Sequence, residues 1–151
     1  MGLTSEDKNN ELARVLAKLK SDSYASFLGV RITKIERGYA KAEVTVAERM
    51  LNFNEVAHGG FIYSLADVAF AAACNSYNQT AVALSFHITY RRPVTIGMRL
   101  IAEASEESSG KTTALYKIVV RTDGQRIVAI CEGLAYKLES SFTENDGPEA
   151  I

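Results

Sequence analysis

Tryptophan is absent from this 151-residue chain, and proline, cysteine and histidine occur only twice each. Two prolines are too few for a collagen-like or polyproline architecture. Cys74 and Cys131 lie far apart within apolar runs, without the close Cys or His spacing of a zinc site, and both read as reduced core thiols. Neither charge is in excess: 17 Lys and Arg stand against 18 Asp and Glu, for a net charge of -1. No global field therefore draws the protein to nucleic acid or to an anionic membrane surface. Residues 68–90 carry no formal charge, but Asn75, Ser76, Asn78, Gln79 and Thr80 interrupt them, so no membrane span is expected. The first twenty residues alternate acids and bases without a signal-type apolar stretch, and the expected location is the cytoplasm.

What the chain does have is material for a core. With 47% hydrophobic and 23% charged residues, its length suits one compact domain. That domain is expected over residues 1–138, followed by a polar tail over 139–151 that contains Gly147-Pro148 and is expected to fray.

The apolar period changes along the chain. Thr4-Ser5-Glu6-Asp7 has the form of a capped helix start, and Leu12, Val15, Leu16 and Leu19 follow at helical spacing. After a turn-rich stretch over 21–29, residues 30–35 and 40–46 alternate with a period of two around Arg37-Gly38-Tyr39. Residues 59–76 are apolar on almost every side, as a helix buried around most of its circumference must be. Four strand-like runs follow, at 81–92, 98–107, 112–122 and 126–138, with Asp123-Gly124 as a hairpin signal. This order predicts an α+β fold: a short N-terminal helix and a curved antiparallel sheet wrapped around a central apolar helix. Such a sheet has two edges, and pairing with a second copy would cover one of them.

Asp67 is the only formally charged side chain between residues 59 and 90, in the middle of the most apolar helix. A buried carboxylate must find donors or open on a hydrated cavity, where partial desolvation makes it a stronger base. His58-Gly59-Gly60 stands nine residues earlier, where the helix should begin and where free backbone N–H groups and the helix dipole meet. Gly59 and Asp67 are eight residues apart on one helix, about 12 Å along its axis at ~1.5 Å per residue. If both act on one bond, they should come from two antiparallel helices in different subunits.

Asn52-Phe53-Asn54-Glu55-Val56-Ala57-His58-Gly59-Gly60, continuing through Leu65-Ala66-Asp67, resembles the signature of hotdog-fold acyl-CoA thioesterases of the phenylacetate-pathway (PaaI) type. The similarity extends over roughly residues 24–138 and includes the Arg92-Pro93 strand end. It implies that Asp67 activates water or attacks the thioester carbonyl itself, and that the Gly59 N–H polarises that carbonyl across a dimer. It further implies that Asn52 holds the water or thioester and that His58 orients the loop. Gly60, Ser64, Phe61 and Tyr63 would contact substrate, and Arg91, Arg92 and Lys111 would hold the nucleotide of coenzyme A. Phe53, Leu65 and Tyr77 are further candidates for the acyl pocket. Many relatives have glycine in the Asn-to-His loop where this chain has Phe53-Asn54-Glu55.

The expected activity is hydrolysis of a medium-chain or aromatic acyl-CoA, such as phenylacetyl- or hydroxyphenylacetyl-CoA, to free acid and CoA. No metal or other cofactor is implied, coenzyme A being part of the substrate. The expected partner is a second copy of the chain, in a homodimer that doubles into a homotetramer. Two alternatives are a hotdog module that binds acyl-CoA without hydrolysing it and a hotdog hydratase or dehydratase, in which His87 is the only other histidine available.

Overall fold

The computed structural model describes residues 2–144. Helix α1, Ser5–Leu19, starts on a capping box: the Asp7 N–H donates to Thr4 Oγ1 at 3.1 Å, and the Thr4 N–H donates to the Asp7 carboxylate at 3.0 Å. Helix α2, Ser23–Leu28, falls in the stretch that reads as turns in sequence. Six residues are too few to show a helical period, and what makes the helix is its ends. Asp22 accepts the Ala25 N–H at 3.0 Å, and Gly29 closes the helix in the left-handed region at φ 76°.

Strands β1, Arg31–Glu36, and β2, Tyr39–Thr45, form the first hairpin, and a single 3-10 turn, Glu48–Met50, leads into the loop before the central helix. Helix α3 spans Gly59–Cys74 and buries ten of its 16 residues. Asn75 ends it by turning its side chain back: Nδ2 donates to the Ala71 carbonyl at 2.9 Å, while Oδ1 accepts the Ala81 N–H at 2.9 Å and so ties the helix end to the next strand. Strands β3, Gln79–Tyr90, β4, Arg99–Ser109, β5, Thr113–Thr122, and β6, Ile127–Ser141, complete the sheet.

All pairings are antiparallel, in the order β1-β2-β4-β5-β6-β3, and α3 touches all six strands. This is the expected hotdog arrangement of one apolar helix within a wrapped sheet. Close contact is set by Gly133 on β6, where a Cβ would stand 2.8 Å from the Phe70 ring of α3. The sheet leaves two edges, β1 and the twelve-residue β3.

The expected tail begins too early. β6 runs to Ser141, which pairs with Gln79, and the Phe142 N–H donates to the Asn78 carbonyl at 3.0 Å. The Thr143 N–H donates to the Asn78 side chain at Oδ1, 3.0 Å away, so the backbone of this stretch is anchored as far as residue 143 despite its polar side chains. The Gly147-Pro148 portion lies outside the described residues. Among the described residues no helix is long and apolar enough to cross a membrane. Cys74 and Cys131 are free and buried, and burial pushes each thiol up to about 12.

Candidate active site

The start of α3 is organised by its own N-cap. His58 Nδ1 accepts the Gly60 N–H at 2.8 Å, which places the proton of the neutral ring on Nε2. The His58 carbonyl accepts the N–H groups of Phe61, at 3.0 Å, and Ile62, at 3.1 Å. Among the described residues only one N–H of this first turn is left without an acceptor, that of Gly59. The two glycines therefore have different tasks: Gly60 completes the cap, and Gly59 presents a free donor at the positive end of the helix dipole.

Gly59 is also clamped from the sheet. Tyr90, at the end of β3, donates its hydroxyl to the Gly59 carbonyl at 2.7 Å, and a Cβ at Gly59 would lie 3.2 Å from the tyrosine ring. No local pattern in the sequence marks Tyr90 for this role, because the contact joins residues 31 positions apart. The same strand end carries Arg91 and Arg92, which with Gly59, Tyr90 and Pro93 line a cleft of 330 Å³. Arg92 is steadied by a bond from Nη1 to the Ile127 carbonyl at 2.9 Å.

Asp67 lies two turns further along α3. The residues of this helix that the fold does not bury are Gly59, Gly60, Tyr63, Ser64, Asp67 and Ala71, a single stripe at helical spacing. Asp67 is thus half-buried on the one open face of the central helix, and it makes no hydrogen bond or ion pair among the described residues. Burial raises its pKa above the ordinary aspartate value, and the negative charge of Asp22 raises it further. Asp22, the N-cap of α2, is a contributor that the sequence reading did not single out. It also lines, with Ala25, Val30, Ile32 and Val68, a cleft of 480 Å³ between α2 and β1.

The other expected residues divide into three groups. Asn52 stands in the loop beside the helix start, but its Oδ1 accepts the N–H groups of Asn54, at 2.8 Å, and Val56, at 3.4 Å, so within this protomer it shapes the loop. Ser64 does not bond to Asp67. Its hydroxyl donates to the Gly60 carbonyl at 2.8 Å and meets the Tyr24 hydroxyl of α2 at 3.1 Å. Tyr63 is on the open stripe, edge-on to Phe86 of β3 at 4.8 Å between ring centroids.

Phe61 and Leu65 belong to the core, at 5% and 0% exposure, since they lie on the face of α3 turned to the sheet. Tyr77 lies past the opposite end of α3, under the β1–β2 turn, where its hydroxyl would be 2.9 Å from a Cβ at Gly38. Lys111 sits in the β4–β5 turn, next to Thr112, whose carbonyl accepts the Lys137 N–H. Lys137 pairs with Ala81, at the other end of β3 from Arg91. Nine residues of strand separate the two ends, about 30 Å at ~3.3 Å per residue. One protomer cannot bring Lys111 to the same phosphates as Arg91 and Arg92.

His87 is on the outer face of the sheet. Its neighbour Phe86 packs against Tyr63 and Phe70 of α3, so the period of two turns His87 away, opposite Glu132. The His–acid pair of a hydratase is therefore not assembled on the helix side. No group of three His, Cys, Asp or Glu among the described residues could hold a metal ion.

The thioesterase superfamily model matches residues 54–129, half of the chain and the part that carries Gly59 and Asp67. A protein of Archaeoglobus fulgidus described as a putative esterase is 39% identical over 123 residues, covering 82% of this chain and 80% of its own length. The acyl-coenzyme A thioesterase PaaI of Escherichia coli is 37% identical over 127 residues, covering 84% of this chain and 91% of that protein. The solved structure of the E. coli PaaI protein, from the phenylacetic acid degradation operon, superposes with a TM-score of 0.85 at 34% identity, over 89% of this chain and 97% of that one. Fold and sequence similarity agree: the chain belongs to the thioesterase superfamily, as a hotdog-fold thioester hydrolase of the PaaI type.

Proposed function

We propose that this protein hydrolyses medium-chain or aromatic acyl-CoA thioesters to the free acid and CoA, at sites shared between the two protomers of a homodimer. The observation that carries the reading is the pairing of opposites on one helix. Among the described residues a carboxylate without partners and an N–H without an acceptor share its open side, about 12 Å apart along the axis and too far to serve one carbonyl. Two antiparallel copies of α3 would set the Gly59 N–H of one protomer opposite the partner's Asp67. The edge strand β3 offers a means of pairing: it is twelve residues long, free along one side, and exposes Leu84 near its middle.

In that arrangement the thioester oxygen accepts the Gly59 N–H, which lies where negative charge develops as the carbonyl carbon becomes tetrahedral. Asp67 takes a proton from water as the oxygen attacks that carbon, or attacks it directly to form an anhydride that water then opens. The C–S bond breaks, and the CoA thiolate leaves and takes up a proton. Arg91 and Arg92 flank the cleft leading from Gly59 and supply positive charge for the CoA phosphates. Lys111 can join them only from a neighbouring protomer. His58 and Asn52 act by holding the donor loop in place.

The test uses two variants that should each be inactive alone, Asp67→Ala and Gly59→Val, with thiol release from phenylacetyl-CoA as the readout. Co-expressed and isolated as mixed dimers, they should regain one working site per dimer, made from an intact helix start and an intact aspartate. Absence of activity in mixed dimers of verified composition would show that each chain builds its own site and would overturn the reading.

A further inference from the structure

Phe53 is 93% exposed, the most exposed of the large apolar side chains in the described residues. It is not on a slack segment. A bridge between Leu51 and Ala57 closes the loop that carries it, and the Asn52 N–H donates to the Val56 carbonyl at 2.8 Å. The Glu55 N–H returns to the Asn52 carbonyl at 3.0 Å, and Glu55 takes a left-handed φ of 58° to complete the turn. With Asn52 Oδ1 accepting two further N–H groups, the loop holds a phenyl ring out in solvent where none of the described residues covers it. A rigid exposed aromatic costs solvation in the free protomer and is the kind of residue that anchors a contact.

The position of the loop says what that contact is. Residues 52–57 lead directly into His58 and Gly59, so the loop stands next to whatever face docks on the Gly59 N–H. On the shared-site reading, on which this inference rests, that is the partner's Asp67 face. The same open stripe carries Tyr63, and α2 places Tyr24 beside it, 57% exposed and anchored through its hydroxyl to Ser64 at 3.1 Å. An acyl group whose thioester carbon lies between Gly59 and the partner's Asp67 would extend along a surface with the partner's Tyr24 and the partner's Tyr63 on one side and the 52–57 loop on the other. We propose that Phe53 is a specificity-determining residue of the partner's active site, where its ring covers the acyl group and favours flat aromatic acyl chains over short aliphatic ones. Offset or edge-on stacking among three rings rewards an aromatic acyl group and does little for an acetyl group.

The measured quantity is the ratio of kcat/KM for phenylacetyl-CoA to kcat/KM for acetyl-CoA. Phe53→Ala should lower this ratio by about tenfold or more, the scale of discrimination an apolar contact of this size provides. Phe53→Leu keeps apolar bulk at the subunit contact while removing the ring, and should also lower it. A ratio unchanged in both variants would overturn the proposal. Mixed dimers of Asp67→Ala with Phe53→Ala, isolated with two affinity tags, then assign the subunit. Their one intact aspartate faces the loop of the other chain, which still carries Phe53, so the ratio should return to that of wild type. If instead the mixed dimers show the lowered ratio, Phe53 serves the aspartate of its own chain and the proposal fails. Failure of the underlying shared-site reading has a separate signature, absence of activity in mixed dimers of Asp67→Ala with Gly59→Val.

Discussion

Replacing Asp67 with asparagine should make the protein more stable and less active at the same time. The side chain is half-buried on α3 and has no donor among the described residues, and both burial and the charge of Asp22 favour its protonated form. A carboxyl whose pKa is raised in the folded state binds its proton more tightly there than in the unfolded chain. Ionised Asp67 therefore opposes folding at pH values above its raised pKa, and the penalty fades as the pH falls below the ordinary aspartate value of about 3.9. Asparagine has nearly the same shape without the charge. At pH 7.5 Asp67→Asn should be the more stable protein, with a gain on the scale of a single stabilising substitution, about 0.5–2 kcal/mol. For a domain of this size that is a rise of a few degrees in Tm, at about 2–4 °C per kcal/mol. Loss of the base should lower kcat by about 10²–10⁴-fold. Thermal unfolding at fixed protein concentration, from pH 7.5 down to 3.5, should show the two proteins converging at the acid end. A variant less stable than wild type at pH 7.5 would mean that the carboxylate has a stabilising partner, and a gain that does not change with pH would mean that its ionisation is not the cause; either result would refute the argument for an unpaired base.

Asp22→Asn tests the second influence on the same carboxyl. Asparagine caps a helix as well as aspartate does, so stability should hold, while removal of the neighbouring negative charge lowers the pKa of Asp67 and moves the acid limb of the kcat/KM profile to lower pH. An acid limb that stays in place would show that Asp22 does not act on Asp67. Gly133→Ala should destabilise the fold by about 1–3 kcal/mol, the usual cost of overpacking, because its Cβ would stand 2.8 Å from the Phe70 ring. Adding Phe70→Leu should recover part of the loss in chemical denaturation, and lack of any coupling between the two would refute the steric account.

Much of this protein is legible in its sequence because its signals are local. The Thr4–Asp7 capping box, the apolar helix from Gly59 and the alternation over 40–46 each depend on neighbours a few residues apart. The single acid in that helix and the glycines at its start have the same quality, which is why the helix-start motif stands out. Errors arise where a contact spans the chain. Helix α2 is invisible because its caps, Asp22 and Gly29, carry more information than its six residues. The polar stretch after residue 138 reads as a tail, yet the start of β3 pairs with it. Asp123-Gly124 does mark the last hairpin, but the left-handed residue is Gln125, at φ 67°, since a longer turn closes through Thr122 and Arg126.

The sequence by itself determined the fold class and the central helix and marked Gly59 and Asp67 as candidates, since composition and period settle which segments bury and where a charge is out of place. Only the tertiary structure decided where the candidate side chains point and what they touch. It gave Gly60 to the His58 cap and left Gly59 free, and it turned Phe61 and Leu65 into the core while Phe53 and Tyr63 faced outward. It tied Ser64 to Tyr24, brought Tyr90 to Gly59, and sent Lys111 and Arg91 to opposite ends of the sheet. The reason is physical: hydrogen bonds and packing fix where a side chain points, and their partners lie tens of residues away, beyond the reach of any local pattern.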